Sequence, residues 1–134
     1  MSNIHFPAIT SIKYNIAWHT KHSKPLLTPI IKPRLQTILR QTCDSNRVVI
    51  IGGVINPRYV HMMLESPPTH KPCDIVQWLK GRASRMLRQE FSELKESVPG
   101  TNIWNPGYIC MTYGADVDDA IRDYIDSGGS MPVS

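Results

Sequence analysis

Three groups of side chains in this 134-residue chain could do chemistry. The first is His61, set in the apolar run Tyr59–Glu65 (YVHMMLE). On an extended strand alternate side chains share a face, so His61 and Tyr59 point the same way. An imidazole there can ligate a metal or move protons; it can equally be a packed, hydrogen-bonded histidine. The second is Tyr124, late in an amphipathic segment after Ile121. A phenol with a pKa of about 10 is a weak nucleophile unless something activates it, and a tyrosine in that place can also simply pack. The third is basic. Lys80, Arg82, Arg85 and Arg88 lie in KGRASRMLRQE at spacings that put several on one helical stripe. Such a stripe suits phosphate contacts, or a solvated flank partly neutralised by Glu90 and Glu93. Lys21 and Lys24 add charge in the polar loop HTKHSK, whose His19 and His22 read as surface residues.

Composition narrows the classes. Fifteen Lys and Arg against eleven Asp and Glu give a formal charge of +4 and a pI near 9.1. That excludes an acidic solvating tail and permits a polyanionic partner. The cysteines are Cys43, Cys73 and Cys110, with no C-x-x-C spacing, so neither a zinc knuckle nor a disulfide framework is indicated. A reducing cytoplasm is the simplest location. No apolar run approaches the roughly 18–20 residues of a membrane helix, and Met1–Pro7 lacks a signal-peptide pattern. The length suits one domain, residues 1–134.

Seven elements must position these groups. Ile9–Trp18 reads as a strand from its β-branched and aromatic residues. Ile31, Leu35, Ile38 and Leu39 recur at helical spacing within Ile30–Thr42, which places Pro33 in the first turn. Arg47–Ile55 (RVVIIGGVI) reads as a buried strand whose Gly52-Gly53 marks a bulge or a close backbone approach. Asn56-Pro57-Arg58 turns the chain into a third strand, Tyr59–Glu65, paired as a hairpin. Asp74 is a candidate cap for a helix whose apolar stripe runs from Ile75 to Leu94. Ile103–Tyr113 is a fourth strand with an irregular start at Pro106-Gly107. A last helix, capped by Asp116 or Asp118, carries Tyr124 and stops at Gly128-Gly129. The order β-α-β-β-α-β-α predicts an α+β, ferredoxin-like split βαβ with helices on one face of an antiparallel sheet, plus a C-terminal tyrosine-bearing helix.

Four segments together resemble the single-tyrosine HUH transposases of the insertion sequence 200/605 group. They are YNIAWHTKHSKPLL (Tyr14–Leu27), NPRYVHMMLESPP (Asn56–Pro68), WLKGRASRMLRQEF (Trp78–Phe91) and IWNPGYICMTYGADVDDAIRDYID (Ile103–Asp126). The resemblance implies a small homodimer acting on hairpin-marked single-stranded DNA, and cutting and rejoining it through a 5′-phosphotyrosine. It implies Tyr124 as nucleophile and His61 as the second motif histidine, a ligand for Mg²⁺ or Mn²⁺. It places Lys80, Arg82, Arg85 and Arg88 on the basic helix, with Lys21 and Lys24 in the basic loop. Two ligand positions depart. Tyr59 replaces the first motif histidine, and Gly128 stands one turn after Tyr124 where the family usually has glutamine or a similar residue. His19, Asn15, Asp123 or Asp126 could compensate. Without compensation, the expectation is a relative that binds hairpin DNA but does not cut it. A third class, an RNA-binding module stacking bases on Trp18, Tyr108 and Tyr113, lacks its usual sequence signature.

Overall fold

The computed structural model describes residues 11–100, 102–112 and 117–128. The elements are β1 (Ile12–His19), α1 (Ile31–Ser45), β2 (Val49–Asn56), β3 (Tyr59–Ser66), α2 (Pro72–Glu90), α3 (Ser92–Ser97), β4 (Ile109–Thr112) and α4 (Val117–Asp126). The strands form one sheet in the order β2-β3-β1-β4, and every pairing is antiparallel. This is the α+β, ferredoxin-like arrangement that the element order predicts.

Strand alternation sorts the sheet into two faces. Tyr14, Ile16 and Trp18 of β1 and Val60, Met62 and Leu64 of β3 enter the main core. There they meet Ile31, Leu35 and Ile38 of α1 and Ile75, Leu79 and Leu87 of α2. Trp18 is fully buried and packs edge-on against Trp104, centroids 5.8 Å apart. A ring held there cannot stack on a nucleobase, and Tyr113 lies outside the described residues. The opposite face carries a second apolar cluster: Ala17 of β1, Ile109 of β4, and Ile121 and Tyr124 of α4. The two crossover helices thus cover one face, and α4 lies across the other.

Local chemistry explains most boundaries. Pro33 is the third residue of α1, where a missing N–H leaves no ladder bond unmade. Gly52-Gly53 fulfils both expectations made of it. The β2–β3 register shifts between Ile50 and Gly52, which is a bulge, and Gly53 lies against the β3 backbone. Several expectations are corrected. β1 starts at Ile12 within the described residues, and Ile9 and Thr10 lie outside them. α2 starts at Pro72, with its pre-set φ at N1, so Asp74 sits in the first turn rather than capping it. The stripe from Ile75 to Leu94 is not one helix. Phe91 breaks it with an extended backbone, φ −123° and ψ 97°, and α3 follows. β4 begins only at Ile109, because residues 102–108 are tied elsewhere. The Ile103 N–H donates to Ser84 Oγ (3.1 Å), and Trp104 Nε1–H donates to the Lys80 carbonyl (2.9 Å). α4 begins at Val117, so Asp118 falls inside it. Asp116 and Gly129 lie outside the described residues. Gly128 follows the helix at φ +71°, a left-handed position suited to glycine.

Candidate nucleic-acid interface and catalytic face

The face under α4 gathers most of the chemistry. β1 presents Asn15, Ala17 and His19 to it, and β3 presents Tyr59 and His61. The register sets His19 directly opposite Tyr59 and Ala17 opposite His61. Asn15 and His19 therefore flank His61 on its two diagonals. On one side, Asn15 Oδ1 lies 3.1 Å from His61 Nε2. On the other, His19 is only 3% exposed, which corrects the expectation that it is a surface residue. Its ring lies between two tyrosines, with centroids 5.8 Å from Tyr59 and 5.3 Å from Tyr124. Tyr124 is 3% exposed, and that burial raises its phenol above its ordinary pKa, so the phenol is firmly protonated at neutral pH. Burial lowers the His19 imidazole, opposed by the carbonyls of Tyr124 and Arg58.

The basic loop fastens this corner. After β1 the chain makes a single 3-10 turn over Lys21–Ser23, with His22 and Ser23 both left-handed at φ 56° and 53°. Two non-glycine residues in that region cost of order 1–3 kcal/mol each. The contacts around them hold the turn. His22 N–H donates to Asn105 Oδ1 (2.9 Å), and Arg58 Nη1–H donates to the Ser23 carbonyl. Ser23 Oγ lies 3.4 Å from His19 Nδ1 and donates to the Gly128 carbonyl (3.3 Å). The loop thus joins the end of β1 to the end of α4. Between β3 and α4 runs an open groove of about 480 Å³ lined by Tyr59, His61, Ile121, Arg122, Ile125 and Asp126. Arg122 brings a cation to this groove. Its sequence position gave no signal of it, because helix phase relative to the sheet is set by packing.

The predicted basic residues divide. Arg85 is exposed and Arg82 half-buried, and neither guanidinium meets a partner among the described residues. Arg88 Nη1–H donates to the Val98 carbonyl (2.8 Å), and Lys24 Nζ–H to the Ser97 carbonyl (3.0 Å). The Lys21 backbone N–H donates to the Ile103 carbonyl (2.8 Å), anchoring that residue in the turn. Lys80 differs most from a free phosphate contact. Its ammonium donates to the carbonyls of Asn105 (2.8 Å) and Gly107 (2.9 Å), clamping the segment before β4. Burial pulls its pKa down from 10.5 to about 8. Between these values the unfolded chain binds more protons than the folded one, so stability rises with pH across that window. Urea midpoints measured from pH 7.5 to 10 are expected to climb more in the native protein than in Lys80→Met. Parallel curves would contradict this.

The residues do not complete the metal site that the resemblance implies. Gly128 has no side chain, Tyr59 could ligate only as a phenolate, and His61 Nε2 is engaged with Asn15. Among the described residues no three His, Cys, Asp or Glu side chains gather closely enough to hold an ion. Also among them, no helix is long and apolar enough to cross a membrane.

Comparison with known proteins agrees with this fold. Residues 8–128 match the family model described as "Transposase IS200 like". The ISDra2 transposase TnpA of Deinococcus radiodurans is 29% identical over 119 residues, covering 89% of this chain and 85% of the relative. The transposase for insertion sequence element IS200 of Salmonella typhimurium is 30% identical over 113 residues, covering 84% and 74%. A transposase crystal structure from Deinococcus radiodurans R1 superposes with a TM-score of 0.83 at 28% identity, covering 97% of this chain and 100% of that one. A REP-associated tyrosine transposase bound to a REP hairpin shares the fold, with a TM-score of 0.59 at 14% identity. The chain belongs to the IS200-like transposase family.

Proposed function

We propose that this transposase binds hairpin-marked single-stranded DNA and cuts and rejoins it through Tyr124. In the cutting step Tyr124 Oη attacks a backbone phosphorus and a new P–O bond forms. The bond to the 3′ oxygen breaks, leaving a 5′-phosphotyrosine and a 3′-hydroxyl. The ester conserves the bond energy, so the reverse attack by another 3′-hydroxyl rejoins DNA without a nucleotide cofactor. The observation that carries this reading is the docking of α4, which sets Tyr124 on the sheet face bearing His19, Tyr59 and His61. Arg122 in the adjoining groove supplies positive charge for the phosphate. Because the ligand set for Mg²⁺ or Mn²⁺ is incomplete, no step is assigned to a metal, and hairpin binding is expected to persist in EDTA.

Tyr59 and Gly128 favour one second reading, a hairpin-binding relative that makes no cut. Both readings place DNA on the exposed cations. Each phosphate contact on a single strand contributes a slope of about −0.7 in log affinity against log salt. Arg85→Ala is therefore expected to weaken hairpin binding and flatten that slope by about 0.7. Fluorescence anisotropy with hairpin, unstructured and duplex DNA checks this. Equal affinity for all three would contradict both readings, whereas hairpin preference with no covalent product selects the second.

We also propose a homodimer, formed along β2. This strand is a sheet edge of eight residues without proline or charge, and it exposes Val49, Ile51 and Val54, the last by 54%. An edge of that kind pairs readily with another strand. Val54→Lys is expected to shift sedimentation from dimer to monomer; an unchanged dimer would place the interface elsewhere.

A further inference from the structure

We infer that the groove between β3 and α4 is a nucleobase pocket that selects guanine beside the cut, an assignment that rests on Tyr124 being the nucleophile. Tyr124 shares its buried cluster with Ile121, and Ile121 lines the groove. A phosphate brought to the phenol therefore brings a neighbouring nucleoside to the groove. The space of about 480 Å³ falls within the range of small-ligand sites and suits one nucleotide. Its walls are mixed. Tyr59 supplies an aromatic ring, and Ile121 and Ile125 supply apolar surface. His61, held through Nε2 by Asn15, completes the β3 side. Arg122 and Asp126 are the charged groups. They stand four residues apart on α4 and so lie on one side of it. Both are exposed, and neither side chain meets a hydrogen-bond or ion-pair partner among the described residues.

The carboxylate decides the base. Asp126 offers two acceptor oxygens and no donor. Guanine is the one common base whose Watson–Crick edge presents two adjacent donors, N1–H and N2–H. Adenine, cytosine and thymine each set an acceptor lone pair beside their donor, which a carboxylate repels. That edge is free in a single strand, where bases are splayed onto aromatic side chains and read. The other groups do not discriminate. Tyr59 gives any base a ring to stack on, and Arg122 attracts the phosphate whichever base follows it. A carboxylate on a DNA-binding face also opposes the phosphates around it. Pairing with guanine offsets that repulsion, whereas the other three bases leave it uncompensated.

The test titrates dGMP, dAMP, dCMP and TMP into the full chain and follows the methyl NMR signals of Ile121 and Ile125. EDTA is present throughout, so that no metal bridges a phosphate to Asp126. All four nucleotides are expected to shift these signals, with dGMP bound about tenfold more tightly than the rest, as a two-point base contact should give. Asp126→Asn exchanges one acceptor oxygen for a donor and should lose that preference; the residue is exposed, so the fold is kept. Tyr59→Ala should weaken all four alike, by about tenfold, through lost stacking. Equal affinities in the native protein, a dGMP preference that survives in Asp126→Asn, or binding that leaves both isoleucines unmoved would each overturn the pocket. A hairpin whose flanking single strand is randomised separates this from the reading beneath it. Covalent adduct without enrichment of guanine overturns the pocket and leaves Tyr124 as nucleophile. Guanine-selective binding with no adduct sustains the pocket and overturns the reading of Tyr124.

Discussion

Tyr124→Phe is expected to abolish the covalent DNA adduct while leaving hairpin affinity within about twofold. The substitution removes one oxygen and keeps the ring, which is what packs α4 on the sheet. Tyr124 is 3% exposed and shares its cluster with Ala17, Ile109 and Ile121, all contacts a phenylalanine preserves. Folding and hairpin recognition should therefore survive, and only chemistry should disappear. Denaturing gel electrophoresis of protein mixed with labelled hairpin DNA reads the adduct, and anisotropy reads the affinity. Adduct retained by the phenylalanine variant would move the nucleophile elsewhere.

The largest structural effect is expected from Gly53→Ala. A Cβ at residue 53 would sit 2.6 Å from the His61 carbonyl oxygen and 3.3 Å from Met62 Cα, both backbone atoms of β3. Backbone cannot rotate aside as a side chain can, so β2 and β3 must separate. Overpacking of this kind costs about 1–3 kcal/mol, and a rigid neighbour puts this case at the upper end. At roughly 4 °C per kcal/mol for a domain of this size, the melting temperature should fall by about 10 °C. Gly52→Ala is the matched control. Its Cβ would meet only Met63 Cε, at 3.6 Å, an ordinary contact, and its melting temperature should stay within about 2 °C. The atom struck at residue 53 belongs to His61, so Gly53→Ala should also weaken whatever depends on that imidazole. Equal melting of the two variants would contradict the close approach.

Strand alternation made the sheet legible from sequence. Tyr59–Ser66 alternates strictly, Ile12–His19 showed as a run of β-branched and aromatic residues, and the two glycines announced the bulge in β2, a strand that reads as buried but lies exposed at the sheet edge. The break at Phe91 was not legible, because Leu94 continues the helical period and no proline or glycine marks the turn. The site was legible at the positions set by motif, His61, Tyr59, Tyr124 and Gly128. What surrounds them depends on contacts far apart in the chain. His19 stands at the end of a strand in a polar context, and only the docking of α4 buries it. Lys80 lies in the same basic run as Arg82 and Arg85, but the segment at residues 103–107 folds over its flank of α2 and captures its amine. Helical spacing reports that residues share a side, not which side another segment will cover.

The most direct test of the account is the site of covalent attachment. Native protein is incubated with a hairpin-bearing single strand, digested with trypsin, and the nucleotide-bearing peptide sequenced by mass spectrometry. The account predicts DNA on the peptide beginning at Asp123, in which Tyr124 is the sole tyrosine. Attachment to the peptide beginning at Tyr59, or hairpin binding that yields no modified peptide, would contradict it.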